Sequence, residues 1–190
     1  NGSYVNTVSG DQAISLENVN LDFSLDMTKL TTGDALLSSY DTGGITGYNA
    51  GTIRACENRA IVGYQHVGYN VGGIAGQADG SSEEARVLIA DCRNYAKITY
   101  QGNSGGILGT TMGNIDIVRC ANYGEMAKTG TTVVRIGGVV GSFQGDATLR
   151  ESFNLGRIDG YRQTGGVIGW CMNTGTVENC YNRAEIVAQG

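Results

Sequence analysis

The chain has 190 residues, long enough for one domain with a sizeable core, and a net charge of −5. Glycine occurs 31 times and proline not at all, which excludes a collagen helix or a proline-rich stalk. Hydrophobic residues make up 41% and charged ones only 16%, the balance of an ordered protein. There is no Lys/Arg run, so neither nucleic acid nor an anionic membrane surface is an expected partner. The apolar runs are a few residues each, too short to insert in a bilayer.

The chain opens Asn1-Gly2-Ser3 without methionine, which reads as a processed piece of something longer. In the first stretch, Val19-Asn20-Leu21-Asp22-Phe23 alternates as a strand should, and residues 32–40 predict a short helix. Residues 1–42 are therefore expected to form either an N-terminal cap or a degenerate first coil. From residue 43 a pentamer Gly-Gly-(Ile/Val)-x-Gly recurs, beginning at Gly43, Gly72, Gly105, Gly137 and Gly165, with steps of 29, 33, 32 and 28 residues.

A second signature follows each pentamer: Cys56-Glu57-Asn58, Cys92-Arg93-Asn94, Cys120-Ala121-Asn122, Ser152-Phe153-Asn154 and Cys180-Tyr181-Asn182. An aliphatic residue lies three positions before each Cys or Ser (Ile53, Ile89, Ile117, Leu149, Val177), and another apolar residue six positions after (Val62, Ile98, Met126, Ile158, Ile186). These segments are rich in Ile, Val and Thr and too short for helices. Together they predict an all-β fold over residues 43–190: a right-handed parallel β-solenoid, or β-helix, of about five coils with three short strands per coil.

Packing accounts for the repeated positions. Aliphatic residues would form columns along the axis, and cysteine would act as a small hydrophobe at a narrow corner. The asparagines would form an amide ladder from coil to coil, and the glycine pairs would supply backbone angles that a Cβ forbids. Any specific function is then expected where the repeats differ: the polar insertion at 80–86, the segments leading into each pentamer, and the aromatic pairs.

The motif resembles the bacterial GLUG repeat, whose copies read Gly-Gly-Leu-x-Gly followed by Gly-x-Ile-x-x-Cys-x-Asn. The stretch from Gly43 to Asn58 fits closely, as does Gly165 to Asn182, while the middle copies differ in loop length and the fourth has Ser152 in place of cysteine. The resemblance implies a secreted or cell-wall-anchored bacterial protein, related to adhesin-like proteins and to non-catalytic regions of immunoglobulin A peptidases. It also implies a protein or glycan ligand on the cell surface or host.

The residues themselves point to no catalytic or metal centre and to no cofactor. The cysteines lack CxxC spacing, and side chains repeating in parallel would not converge into disulfides, so free thiols are expected, with Cys171 the most exposed. His66 is the only histidine and has no triad motif near it. The acidic residues lie at different repeat positions rather than in the paired arrangement a polysaccharide-active β-helix enzyme needs. Tyr95 and Tyr123 share one repeat position, and Phe153 and Tyr181 another. They are candidates for a carbohydrate- or protein-binding face, or for a ladder that stabilises the coil. The expected function is a non-catalytic spacer or adhesive module. A carbohydrate-binding module is the first alternative and a β-helix enzyme the second.

Overall fold

The computed structural model describes residues 15–17, 20–21, 41–63, 69–82, 86–129, 135–172 and 174–188. Among the described residues there is no helix, and every strand pairing is parallel. The chain is a β-solenoid of about five coils, its strands stacked in five sheets. The helix expected over 32–40, His66, and Glu83 to Ala85 of the insertion lie outside the described residues.

Sheet A holds Asp41–Gly43, Asn70–Gly72, Asn103–Gly105, Arg135–Gly137 and Gln163–Gly165. Sheet B holds Thr46–Asn49, Ala75–Gly80, Leu108–Gly113, Val140–Phe143 and Ile168–Cys171. Sheet C contains Thr52–Arg54, Val87–Ala90, Ile115–Val118, Ala147–Arg150 and Thr176–Glu178. Sheet D contains the Cys-x-Asn segments, from Glu57–Asn58 to Tyr181–Asn182. Sheet E contains Ile98–Tyr100, Met126–Lys128, Ile158–Gly160 and Ile186–Ala188. Two short strands, Ser15–Glu17 and Asn20–Leu21, extend sheets C and D by one further strand each.

The second to fifth coils thus have five strands each where the apolar segments alone predict three, and in the first coil Val62 makes only an isolated parallel bridge to Ile98 in place of the fifth. Two sharp bends cause the difference. The Gly-Gly turn divides the pentamer segment between sheets A and B. A left-handed residue just before each Cys or Ser divides the next segment between sheets C and D.

That left-handed residue also corrects the expected role of glycine. Positive φ falls on Ala55, Asp91, Arg119, Glu151 and Asn179, with values between 51° and 58°, and on Gly63, Gly113 and Gly145 outside the pentamers. The glycine pairs do not adopt it; they are needed because neighbouring atoms leave no room for a Cβ. A Cβ on Gly73 would lie 2.2 Å from the Gly106 carbonyl oxygen and 2.4 Å from the Asn94 Cγ.

This contact between glycine and asparagine pinches every coil between two cores. On one side lie the pentamer and sheet C aliphatics, including Ile74, Ile89, Ile107, Ile117 and Leu149, with the column cysteines. On the other lie Val71, Ile98, Tyr100, Met126, Ile136 and Ile158. The two apolar columns read from the sequence therefore belong to separate cores. Each fully buried isoleucine contributes about 1.5–3 kcal/mol relative to exposure. In the fifth coil Val177 and Ile186 are exposed, because only the preceding coil covers them among the described residues.

Candidate functional site

The repeated polar columns bond mostly among themselves. Asn58 Nδ2 donates to Asn94 Oδ1 at 2.8 Å, Asn94 to Asn122 at 2.8 Å, Asn122 to Asn154 at 2.7 Å and Asn154 to Asn182 at 2.8 Å. Each amide also bonds both backbone groups of the residue two positions on; for Asn94 these are the Ala96 carbonyl and N–H. An interior member such as Asn94 or Asn122 fills every hydrogen-bonding site it has, which is what burial of a primary amide requires.

The Cys/Ser column has a role beyond its small size. The Cys92 thiol donates to the Ala90 carbonyl at 3.1 Å, and the Ser152 hydroxyl donates to the Arg150 carbonyl at 2.8 Å. Cys56, Cys120 and Cys180 do the same across the left-handed residue. The position therefore selects a small side chain with a hydrogen to donate. All five thiols are free; Cys56, Cys92 and Cys120 are buried and Cys171 is exposed. Hydrogen bonding with Cys120, together with burial, pushes the Cys92 thiol up to about 12.

The aromatic pairs join into one row on the outer face of sheet D. Tyr95 and Tyr123 stack at 4.9 Å and 10°, Tyr123 meets Phe153 edge-on at 5.8 Å, and Phe153 stacks on Tyr181 at 4.9 Å and 8°. The two repeat positions flank the inward-pointing asparagine, so both face outward and their rings meet. The Arg59 guanidinium lies 4.5 Å over the Tyr95 ring. Neighbouring rings and Arg59 take up ring faces along the row, while Tyr95, Tyr123 and Tyr181 remain 37%, 38% and 46% exposed. The row forms a cross-coil ladder of the kind that stabilises stacked strands, and a sugar would have to stack on the ring area that stays exposed.

Many of the acidic residues are matched by bases of the same or nearby coils. Asp91 pairs with Arg119 at 2.7 Å, Asp116 with Arg86 at 2.9 Å and Glu185 with Arg157 at 3.1 Å. The Arg119 hydrogen bond holds the Asp91 carboxyl below its ordinary value. Among the described residues no group of three or more His, Cys, Asp or Glu side chains is placed to hold a metal.

A different arrangement lies in the groove between sheets A and B. Sheet A presents Asp41, Asn70, Asn103, Arg135 and Gln163 at one repeat position, and sheet B presents Tyr48, Gln77, Thr110, Ser142 and Trp170 opposite. Asn70 Nδ2 donates to Asp41 Oδ1 at 2.7 Å, and Asn103 Nδ2 donates to Asn70 Oδ1 at 3.0 Å. Burial raises the Asp41 pKa, and the Asn70 hydrogen bond offsets part of that. Tyr48 donates to Asp79 at 2.7 Å, and burial with this bond pushes its phenol up to about 12.

At the other end the network is incomplete. The Asn103 Oδ1 and the Arg135 Nε are buried without a hydrogen-bond partner among the described residues. The Asn103 and Arg135 side chains both line an opening of about 320 Å³. The Arg135 guanidinium sits 3.7 Å over the Trp170 ring, and its Nη1 reaches Ser142 Oγ at 3.4 Å. The signal in the sequence is the position two residues before each pentamer. It is polar in every coil but never the same from end to end, unlike the asparagine column.

Comparison of the chain with protein-family models, with curated proteins and with solved structures finds no match.

Proposed function

We propose that this chain is a non-catalytic structural and interaction module of a bacterial extracellular or cell-surface protein, acting as a rigid spacer or adhesive surface. The observation that carries the reading is the asparagine ladder. It ties consecutive coils together through buried, fully satisfied amides, as a load-transmitting rod requires. The likeness of the Gly-Gly-(Ile/Val)-x-Gly and Cys-x-Asn motifs to GLUG repeats supports the extracellular placement. Pairing of many carboxylates with arginines favours a binding or structural role over acid–base catalysis. Antibody raised against the chain should label intact producer cells or their culture medium; signal confined to lysed cells would overturn the placement. Depolymerisation of any plant, microbial or host polysaccharide by the purified chain would overturn the non-catalytic reading.

A further inference from the structure

We propose that the groove between sheets A and B binds an acidic saccharide, with its carboxylate at Arg135 and a ring hydroxyl at Asn103. The inference deepens the interaction-module reading and rests on it.

Direction in the sheet A network is set from one end. An ionised Asp41 only accepts, so Asn70 must turn its Nδ2 toward Asp41 and its Oδ1 toward Asn103. Asn103 then spends its Nδ2 on Asn70 and turns its acceptor oxygen to the next coil, where the register places Arg135. Asn103 is only 4% exposed, and its Oδ1 has no donor. The neighbouring Arg135 Nε is a buried donor with no acceptor. An unmet acceptor beside an unmet donor suits a group that both gives and takes a hydrogen bond, as a hydroxyl does.

Arg135 adds a charge requirement. No carboxylate of the described residues pairs with it, whereas many other arginines of the solenoid meet one. Its guanidinium carbon lies 3.7 Å over the Trp170 ring, and the edge of a stacked guanidinium fork suits a planar anion. Asp41 and Asp79 lie toward the opposite end of the groove, about 10–14 Å away at ~4.8 Å per coil, so the field orients a carboxylate toward Arg135. Thr110 and Gln144 offer further polar contacts, and the exposed Met112 gives an apolar wall for sugar C–H groups. An opening of about 320 Å³ is at the small end of ligand sites and suits one or two sugar units.

Trp170 is the single tryptophan, so its fluorescence reports directly on the Arg135 stack. The full chain should be titrated with trigalacturonate, trimannuronate and sialyllactose, with galactotriose as the neutral control, by fluorescence and by calorimetry. At least one acidic sugar should give saturable binding that weakens about tenfold or more in Arg135→Gln and weakens again on raising salt. Galactotriose should not bind. Absence of binding by all three acidic sugars at millimolar concentration overturns the proposal, as does equal binding of galactotriose. Unchanged affinity in Arg135→Gln with a native circular dichroism spectrum also overturns it. If that variant does not fold, Gln144→Leu decides: reduced affinity supports the site and undiminished affinity overturns it. None of these outcomes bears on the spacer reading, which stands or falls on cell-surface labelling and on polysaccharide turnover.

Discussion

Gly106 and Asn122 compete for one space at the waist of the third coil: a Cβ on Gly106 would lie 2.3 Å from the Asn122 Cγ. The same added carbon would sit 2.1 Å from the Gly138 carbonyl oxygen in the next coil. Neither neighbour can give way, because one is backbone and the other is a fully bonded ladder amide. Gly106→Ala should therefore cost about 3 kcal/mol, the upper range for overpacking, read by urea denaturation. A loss smaller than experimental error would show that the waist can relax.

Asparagine at the centre of the ladder should matter more than asparagine at its end. Asn122→Ala removes four hydrogen bonds and strands buried groups on Asn94, Asn154 and Gly124, an expected cost of about 3 kcal/mol or more. Asn182 is partly exposed, so water can replace its bonds, and Asn182→Ala should cost about 1 kcal/mol. Equal melting temperatures for the two variants would contradict the cooperative ladder.

Alkali should weaken the fold. The Cys92 thiol rises from an ordinary 9.0 to about 12, and the Tyr48 phenol from 10.0 to about 12. The unfolded chain loses these protons first, so their stabilisation is complete below pH 9 and is lost progressively toward 12. Denaturation midpoints should fall across this window, and Cys92→Ser should flatten the decline. At neutral pH a thiol reagent should label Cys171 in the native protein, and all five cysteines only in denaturant. Rapid native labelling of Cys92 would mean that the coils open locally.

The left-handed corner offers a stabilising substitution. Ala55 is exposed at φ 53°, a conformation that costs an L-residue about 1 kcal/mol and that asparagine tolerates better. Ala55→Asn should raise stability by up to about 1 kcal/mol, detectable as a higher melting temperature. A decrease would mean that the corner is held by contacts of the Ala55 methyl group.

Much of the solenoid is legible in the sequence because each coil must stack on a copy of itself. Ile53, Ile89, Ile117 and Leu149 share a spacing, and the sheet C register puts them side by side. The candidate groove was not legible in the same way. Asn103 and Arg135 occupy equivalent positions, but nothing in their spacing reveals that one keeps an unmatched acceptor, and the other an unmatched donor, beside the same opening. That depends on Asp41, which directs the hydrogen bonds from two coils away.

The sequence by itself determined the repeat, the parallel stacking and the identity of the inward columns, because periodic burial is a one-dimensional property. Only the tertiary structure decided that each coil pinches into two cores, that the pentamer glycines answer to close approach, and that the aromatic pairs form one row. It also located the two unmatched polar atoms at Asn103 and Arg135. Those features arise from contacts across the coil and between neighbouring coils, where side chains far apart in sequence compete for the same volume and the same hydrogen bonds.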